Sequence, residues 1–269
     1  MNISEKEMFH FPNAEGEQAG RPLILIHGLG GSMACFNEAL NFSWRDKPLL
    51  IMVDLLGARF MEKCRDNHLS FSQQADCLCN QISDLGLNSF DLLGHSYGAT
   101  LGTLVAARSP NCSSFINVEG HVTESMFDFL RIIERRSFLP EYERWFDEDL
   151  IKGAGALAAD KNIGAERYVE SLMRWQPEVF AYCARSLLDF CDPTRDGTNT
   201  VLEAFCALQV PELYINGSES VKNEEITMLR KRGIPISSVS GSHHWPMIEA
   251  PETFYRIVSC FVREQSIPI

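Results

Sequence analysis

Residues Phe90–Thr100 read FDLLGHSYGAT, an apolar run that leads directly into Gly-His-Ser-Tyr-Gly and then into small residues. The pattern predicts a strand, a tight turn centred on Ser96, and a helix. A serine on such a turn exposes its Oγ from a strained backbone, and Gly94 and Gly98 are needed because these two positions crowd each other. A bare G-x-S-x-G pentad also fits an ordinary turn serine, but the flanking strand and helix favour a nucleophile. We therefore predict that Ser96 is catalytic.

Further apolar runs predict the rest of a sheet. The predicted strands are Leu23–Ile26, Leu49–Leu56, Phe90–Leu93, Phe115–Val118, Glu212–Asn216 and Ile236–Val239. Helical patterns lie between and after them, at Ser70–Leu85, Thr100–Arg108, Asn223–Lys231 and Pro251–Arg263. This alternation implies right-handed crossovers, and hence an α/β fold whose mostly parallel sheet carries helices on both faces.

The strand pattern stops between His121 and about Phe205. Helices are predicted there over Glu124–Ser137, Glu141–Lys152, Ala165–Trp175 and Pro177–Phe190. The stretch is acidic and rich in large apolar residues. We therefore expect residues 121–205 to form an inserted helical cap over a largely apolar pocket, and residues 1–120 and 206–269 to form the core.

Charge and cysteine usage exclude several classes of protein. With 24 Lys and Arg against 36 Asp and Glu, the net charge is −12, which argues against binding nucleic acid or an anionic membrane. No apolar run is long enough to span a bilayer, and the first residues lack the pattern of a secretory signal. The nine cysteines are scattered without a C-x-x-C pair, which favours reduced thiols in a cytoplasmic protein over a disulfide framework or a zinc site. The expected partner is a small-molecule substrate, and the oligomeric state stays open.

Two adjacent histidines follow the last predicted strand, in the segment GSHHWP at 241–246. A general base for a serine should lie on a loop at the carboxyl edge of the sheet. Adjacent histidines cannot both point into one pocket, and they are poorly spaced to share a metal ion. His244, directly before Trp245-Pro246, is the better candidate for the base, with His243 as the alternative.

These motifs together resemble those of the serine α/β-hydrolases, esterase- and lipase-like enzymes that carry a helical cap. The matching stretches are HGLGGS at 27–32, DLLG at 54–57, GHSYGA at 94–99 and GSHHWPMIE at 241–249. The family's last motif usually reads G-x-G-H-x-P, so the resemblance places His244 at the base and His243 at the usual glycine. It also implies an oxyanion hole formed by the backbone N–H groups of Leu29 and Tyr97. The other histidines are then structural, except for His121, which would line the pocket.

The sequence departs from the family at the triad acid. Most members carry an aspartate after the penultimate strand, in a loop similar to G-x-x-D, but here the loop reads GSES at 217–220 and Ser220 stands at that position. Some α/β-hydrolases instead place the acid after the strand that follows the nucleophile helix, where this chain has Glu119. Glu119 is therefore the preferred acid, and Glu219, one residue from the usual position, is the alternative.

The resemblance implies a serine hydrolase of the carboxylesterase type that acts through an acyl-enzyme on a small, largely apolar ester, without a metal or cofactor. A serine nucleophile argues against the dehalogenase and epoxide hydrolase chemistry that similar families perform with an aspartate. The alternatives are a C–C hydrolase, an enzyme of the hydroxynitrile lyase type, and a ligand-binding protein that keeps a hydrolase shell.

Overall fold

The computed structural model describes residues 8–15, 18–159 and 162–265. Its sheet has seven strands in the order β1-β3-β2-β4-β5-β6-β7. They are β1 (Phe9–His10), β2 (Leu23–Ile26), β3 (Leu50–Val53), β4 (Phe90–His95), β5 (Cys112–Val118), β6 (Glu212–Gly217) and β7 (Ile236–Val239). Only β1 runs antiparallel to its neighbour, β3, which confirms the predicted mostly parallel sheet. With two residues, β1 is too short to give a sequence signal.

Helices cover both faces of the sheet, as predicted. Those outside the segment between β5 and β6 are α1 (Glu38–Asn41), α2 (Phe60–Asp66), α3 (Phe71–Ser83), α4 (Tyr97–Arg108), α12 (Asn223–Lys231), α13 (Pro246–Glu249) and α14 (Pro251–Glu264). Alternate strand residues face opposite ways: Ile24 and Ile26 join the buried cluster of α3 and α4, whereas Leu23 and Leu25 join that of α14. None of the helices in the described ranges is long and apolar enough to cross a bilayer.

Two boundaries near the serine turn follow from local interactions. A capping box starts α3, because the Ser70 side chain accepts from the Gln73 backbone N–H and the Gln73 side chain accepts from the Ser70 N–H. The helix α4 begins at Tyr97 rather than at the predicted Thr100, because the turn at Ser96 passes directly into the helix. The short α1 and α2 were not predicted, since neither is long enough to show a helical period.

The segment between β5 and β6 is helical wherever the structure describes it, and we call it the insertion. Its helices are α5 (Asp128–Ser137), α6 (Tyr142–Trp145), α7 (Ile151–Ala159), α8 (Ile163–Leu172), α9 (Pro177–Cys191), α10 (Pro193–Asp196) and α11 (Thr200–Cys206), together with a 3₁₀ turn at Glu124–Phe127 and a π-helical turn at Phe146–Leu150. No strand occurs in its described residues, which agrees with the sequence pattern. The helix α11 was not predicted.

Side-chain hydrogen bonds connect the insertion to the core near its start and again between α8 and α9. The carboxylate of Glu225 on α12 accepts bonds from the backbone N–H and the hydroxyl of Ser125, at 2.8 and 2.6 Å. The Trp175 indole N–H donates to the carbonyl of Gly31 at 2.9 Å. The insertion is therefore bonded both to α12 and to the loop that follows β2.

The strand order locates the crevice in which a ligand would bind. From β2 the chain continues to β3 on one side, whereas from β4 it continues to β5 on the other side. The loops after β2 and β4 therefore diverge, and the space between them is the usual ligand crevice of an open parallel sheet. Leu29 follows β2 and Ser96 follows β4, so both predicted residues lie at this point.

Candidate active site

Ser96 occupies the tight turn that the sequence predicts. Its backbone angles are φ 53° and ψ −119°, a conformation that side-chain-bearing residues rarely adopt. A Cβ on Gly94 would come within 2.4 Å of the Gly98 carbonyl oxygen, and a Cβ on Gly98 would come within 2.3 Å of the His27 carbonyl oxygen. The Ser96 N–H donates to the carbonyl of Val118 at 2.8 Å, which fixes the turn against the end of β5. Both glycines are therefore sterically required for this turn.

Glu119 and His244 lie in direct contact. The His244 Nδ1–H donates to Glu119 Oε2 at 2.5 Å, with Glu119 fully buried and His244 partly exposed to the cavity. With its proton on Nδ1, the neutral imidazole of His244 leaves Nε2 free to accept another proton. Glu119 itself has φ 50°, in the left-handed region, so a second strained residue lies beside the serine turn.

The last residue of β6 and one residue of the loop after it also donate hydrogen bonds to Glu119. The Gly217 N–H donates to Oε1 at 2.7 Å, and the Ser220 hydroxyl donates to Oε2 at 2.6 Å. Ser220 therefore stands where the family resemblance places an aspartate and binds the carboxylate of Glu119 instead. Glu219 is exposed, and its carboxylate accepts from the neighbouring Ser218 hydroxyl at 2.9 Å. The structure thus brings Glu119, and not Glu219, to His244.

The predicted oxyanion turn packs directly against the serine. A Cβ on Gly28 would lie 3.0 Å from the Cβ of Ser96, and both Gly28 and Leu29 line the cavity that contains Ser96. Tyr97 is the first residue of α4, so its N–H is one of the donors that a helix leaves without an intrahelical acceptor. The N–H groups of Leu29 and Tyr97 thus belong to the two segments that meet at Ser96.

His27 stabilises this turn and takes no part in the cavity. Its ring is fully buried, its Nε2 accepts from the Leu55 N–H at 3.0 Å, and its Nδ1 lies 2.8 Å from the Gly28 carbonyl oxygen. These two bonds together require a neutral ring with the proton on Nδ1. The arrangement connects the HGLG and DLLG motifs, in agreement with the structural role expected for His27.

His95 connects the serine turn to the base, a contact that the sequence did not reveal. Its Nε2–H donates to the backbone carbonyl of His244 at 2.8 Å, and the two rings lie 4.7 Å apart. Complete burial lowers the pKa of His95 well below its usual value, and the positive charge that His244 can carry lowers it further. A neutral His95 therefore fixes the loop that carries His244, from the position directly before Ser96.

Tyr97 connects the other side of the turn to the insertion. Its hydroxyl donates to Gln74 Oε1 on α3 at 2.7 Å, and the Gln74 amide donates to the Tyr182 and Ser186 hydroxyls of α9 at 3.1 Å each. Because these groups are buried, a lost partner would leave an unsatisfied polar atom. The network therefore holds Tyr97, and with it the predicted second oxyanion donor, in one position.

A cavity of about 490 Å³ opens above Ser96 and His244. Large parts of its wall are apolar side chains from the insertion, including Met126, Phe129, Leu130, Trp145, Leu150 and Ala165. Arg167 also lines it, but its guanidinium is bonded to both carboxylate oxygens of Glu38, at 2.6 and 2.5 Å. The cavity is thus largely apolar, and the charge of Arg167 is compensated.

The described residues contain no group of three or more His, Cys, Asp or Glu side chains placed to hold a metal ion. His243 lies outside the contact between Glu119 and His244: its side chain is more than half exposed, and its Nδ1 lies 3.6 Å from Glu249 Oε2.

Comparison with known proteins agrees with the predicted family and fold. The model of the alpha/beta hydrolase family matches residues 23–257. Among curated proteins, the 2-hydroxymuconate semialdehyde hydrolase of Pseudomonas putida is 24% identical over 261 residues, which cover 94% of this chain and 90% of that protein.

Solved structures share the fold at lower identity. One, from a study of carboxylesterases of the thaumarchaeon Nitrososphaera gargenis, has a TM-score of 0.68 and 18% identity, and covers 96% of this chain and 93% of that chain. The epoxide hydrolase of Bacillus megaterium has a TM-score of 0.71 and 16% identity, with 92% and 95% covered. These two similarities concern the fold alone.

Proposed function

Because the chain belongs to the alpha/beta hydrolase family, we propose that it is a serine hydrolase that cleaves small, largely apolar, neutral carboxylic esters through an acyl-enzyme. The observation that carries the proposal is the buried Glu119 carboxylate bonded to His244 Nδ1, beside a serine on a strained turn. Ser96 would act as the nucleophile, His244 as the base and Glu119 as the acid, in the chain order Ser-acid-His.

The chemistry would run in two halves. Ser96 Oγ attacks the ester carbonyl carbon while His244 Nε2 takes its proton, and Glu119 stabilises the resulting imidazolium. The tetrahedral oxyanion accepts hydrogen bonds from the N–H groups of Leu29 and Tyr97, each worth about 3 kcal/mol in comparable sites. His244 then returns the proton to the departing alkoxide, which leaves as an alcohol.

Water completes the cycle. His244 takes a proton from a water molecule, whose oxygen attacks the acyl carbon, and returns this proton to Ser96 Oγ as the second tetrahedral intermediate collapses to a carboxylic acid and free Ser96. In this proposal residues 121–205 act as a cap that excludes bulk water, and the apolar wall that they contribute favours an apolar acyl or alcohol group.

The pairing of Arg167 with Glu38 supports a neutral substrate. An anionic group near Arg167 would have to compete with a bidentate carboxylate contact, and the net charge of −12 would also disfavour its approach.

The nine cysteines are all free thiols in the structure, which supports the proposed cytoplasmic location.

Activity-based labelling tests the proposal. A fluorophosphonate probe should add its mass to the peptide that carries Ser96, and p-nitrophenyl esters of two to eight acyl carbons should be hydrolysed. Ser96→Ala should abolish labelling and lower kcat by several orders of magnitude. Labelling of a different serine, or ester turnover that persists in Ser96→Ala, would reject Ser96 as the nucleophile.

One observation favours C–C bond hydrolysis as a second candidate function, namely the 24% identity to 2-hydroxymuconate semialdehyde hydrolase across 94% of this chain. The same substrate panel separates the two candidates if it includes that semialdehyde. A kcat/KM for the semialdehyde that exceeds the best ester value by tenfold or more would favour C–C hydrolysis over ester hydrolysis.

A further inference from the structure

His121 is a cavity histidine that the mechanism above does not use. It lies just beyond the end of β5 and lines the same cavity as Ser96 and His244. Only 4% of its surface is exposed, and its ring packs edge-on against Phe127 with the ring centroids 5.4 Å apart. A polar ring in a largely apolar cavity needs partners for both of its nitrogens, or leaves one of them to a ligand.

Hydrogen bonds to Thr100 determine where the ring carries its proton. Thr100 Oγ1 donates to the Ser96 carbonyl at 3.2 Å, accepts from the His121 backbone N–H at 3.1 Å, and lies 2.8 Å from His121 Nδ1. A hydroxyl has one proton and two lone pairs. All three contacts are therefore satisfied together only if His121 Nδ1 is the protonated nitrogen and donates to Thr100.

This assignment leaves Nε2 of His121 with a lone pair. Among the described residues, no group makes a hydrogen bond to Nε2, and Nε2 is not one of the fully buried polar atoms. It therefore has surface that is accessible from the cavity. Burial, and next the charge of His244, lower the pKa of His121 to about 3, so the ring stays neutral across the working pH range.

The position of the ring is fixed before any substrate arrives. The Asn199 side-chain amide donates to the His121 backbone carbonyl at 3.0 Å, which connects the residue to the start of α11. Together with the Thr100 contact, this bond holds both the backbone and the ring. An acceptor that is held in this way loses little entropy when a donor binds to it.

We propose that His121 Nε2 accepts a hydrogen bond from the substrate, so that the enzyme selects esters that carry a hydroxyl or N–H group over analogues that lack such a donor. This inference rests on the proposed ester hydrolysis. One neutral hydrogen bond in a water-poor cavity is worth roughly a tenfold preference in kcat/KM. The donor group belongs to the part of the ester that enters the cavity beside His121.

The protonation of the ring can be tested without any turnover. Long-range ¹H–¹⁵N NMR of the full chain, with His121 assigned by comparison with His121→Phe, reports which ring nitrogen is protonated. We expect a neutral ring with the proton on Nδ1 at every pH between 5 and 8. A ring protonated on Nε2, or a ring that becomes charged in this range, would overturn the inference.

Selectivity can be tested with matched esters. The probes are p-nitrophenyl butyrate, its 2- and 3-hydroxy derivatives, and the methoxy derivatives at the same carbons, together with butyrate esters of ethylene glycol and of 2-methoxyethanol. We expect at least one hydroxyl ester to exceed its methoxy partner about tenfold in kcat/KM. The ratio should fall to about one in His121→Phe and recover in His121→Gln, since the terminal amide of Gln can accept a hydrogen bond near the position of Nε2.

The outcomes separate this inference from the proposed function. If native protein does not hydrolyse p-nitrophenyl butyrate, the proposed function fails, whereas the NMR result still stands or falls by itself. If the butyrate ester is hydrolysed but no hydroxyl ester is preferred, or if the preference survives in His121→Phe, only the role of His121 is rejected. Tyr168 also lines the cavity, so a preference that disappears in Tyr168→Phe but not in His121→Phe would assign the recognition to that phenol instead.

Discussion

Replacing Glu119 with Gln tests the central contact of the site with a change of one atom. The carboxylate accepts three hydrogen bonds, from the Gly217 N–H, the Ser220 hydroxyl and His244 Nδ1. An amide can present an oxygen to only one side. If the oxygen keeps the bond to Gly217, the NH₂ group faces His244 and requires Nδ1 to be an acceptor, which places the ring proton on Nε2.

The expected loss follows from that change. With its proton on Nε2, His244 cannot accept the proton of Ser96, and the buried negative charge that would stabilise an imidazolium is gone. The comparable aspartate-to-asparagine change in a serine protease lowers kcat about 10⁴-fold, which corresponds to about 5.4 kcal/mol of barrier. We expect a fall in kcat of the same order, with little change in KM because Glu119 is fully buried and does not line the cavity.

The assay is steady-state hydrolysis of the best p-nitrophenyl ester, with a thermal melt to show that the variant is folded. Glu219→Gln is the matched control, since the Glu219 carboxylate is exposed and accepts from the neighbouring Ser218 hydroxyl, and kcat of this variant should change less than about twofold. Adding Ser220→Asp to Glu119→Gln should recover at least about tenfold, because Ser220 Oγ lies 2.6 Å from the oxygen that His244 contacts.

Two results would refute this reasoning. A folded Glu119→Gln variant that keeps more than a tenth of native kcat would mean that the carboxylate does not orient the base. A large loss in Glu219→Gln would assign the role to the loop after β6.

Three further predictions concern stability and the insertion. Gly98→Ala should lower the free energy of unfolding by about 1–3 kcal/mol in urea melts, because its Cβ would meet fixed backbone atoms. The control Gly153→Ala, which has open space around it in a helix, should be neutral or slightly stabilising. The pKa values of His95 and His121 are lowered in the folded state, so the unfolded chain binds more protons below about pH 6.5. As the pH falls from 6.5 to 4.5, the free energy of unfolding should therefore decrease by up to about 1.4 kcal/mol per pH unit for each ring. Equal urea midpoints at these two pH values would contradict this. Glu225→Ala removes two bonds to the start of the insertion and should speed tryptic cleavage within it, while an unchanged cleavage pattern would show that this contact does not hold it.

The parts of the fold that could be predicted are those with a local cause. The run at β2 is continuous and apolar, and the one at β4 is broken only by Asp91 before Gly94, because both strands are buried on both faces. The pentad around Ser96 indicates a backbone conformation that only a few sequences allow. Helix bounds were accurate where a cap exists, as at Ser70, and late by three residues at α4, where the turn itself starts the helix.

The parts that could not be predicted depend on contacts between distant segments. Nothing near His95 in sequence indicates that its ring donates to the backbone of His244, 149 residues away. The bond from Ser220 to Glu119 is similar, although the serine at the usual aspartate position was the signal that could have pointed to it. The protonated nitrogen of His121 was inferred from three contacts of the Thr100 hydroxyl, which the sequence does not show.

The position of Glu119 at the end of β5 affects how far the loop after β6 can change during evolution. An acid on the loop after β6 would move with every insertion or deletion there. Here Glu119 directly follows β5, which pairs in register with the strand before Ser96, and the loop after β6 contributes only the Ser220 hydroxyl, while the Gly217 N–H belongs to β6 itself. Loss of one hydrogen bond to a charged group costs about 1.5–3 kcal/mol, less than the loss expected on removing the carboxylate itself. Apart from Ser220, residues 218–222 can therefore change in length and sequence without displacing the carboxylate that contacts His244.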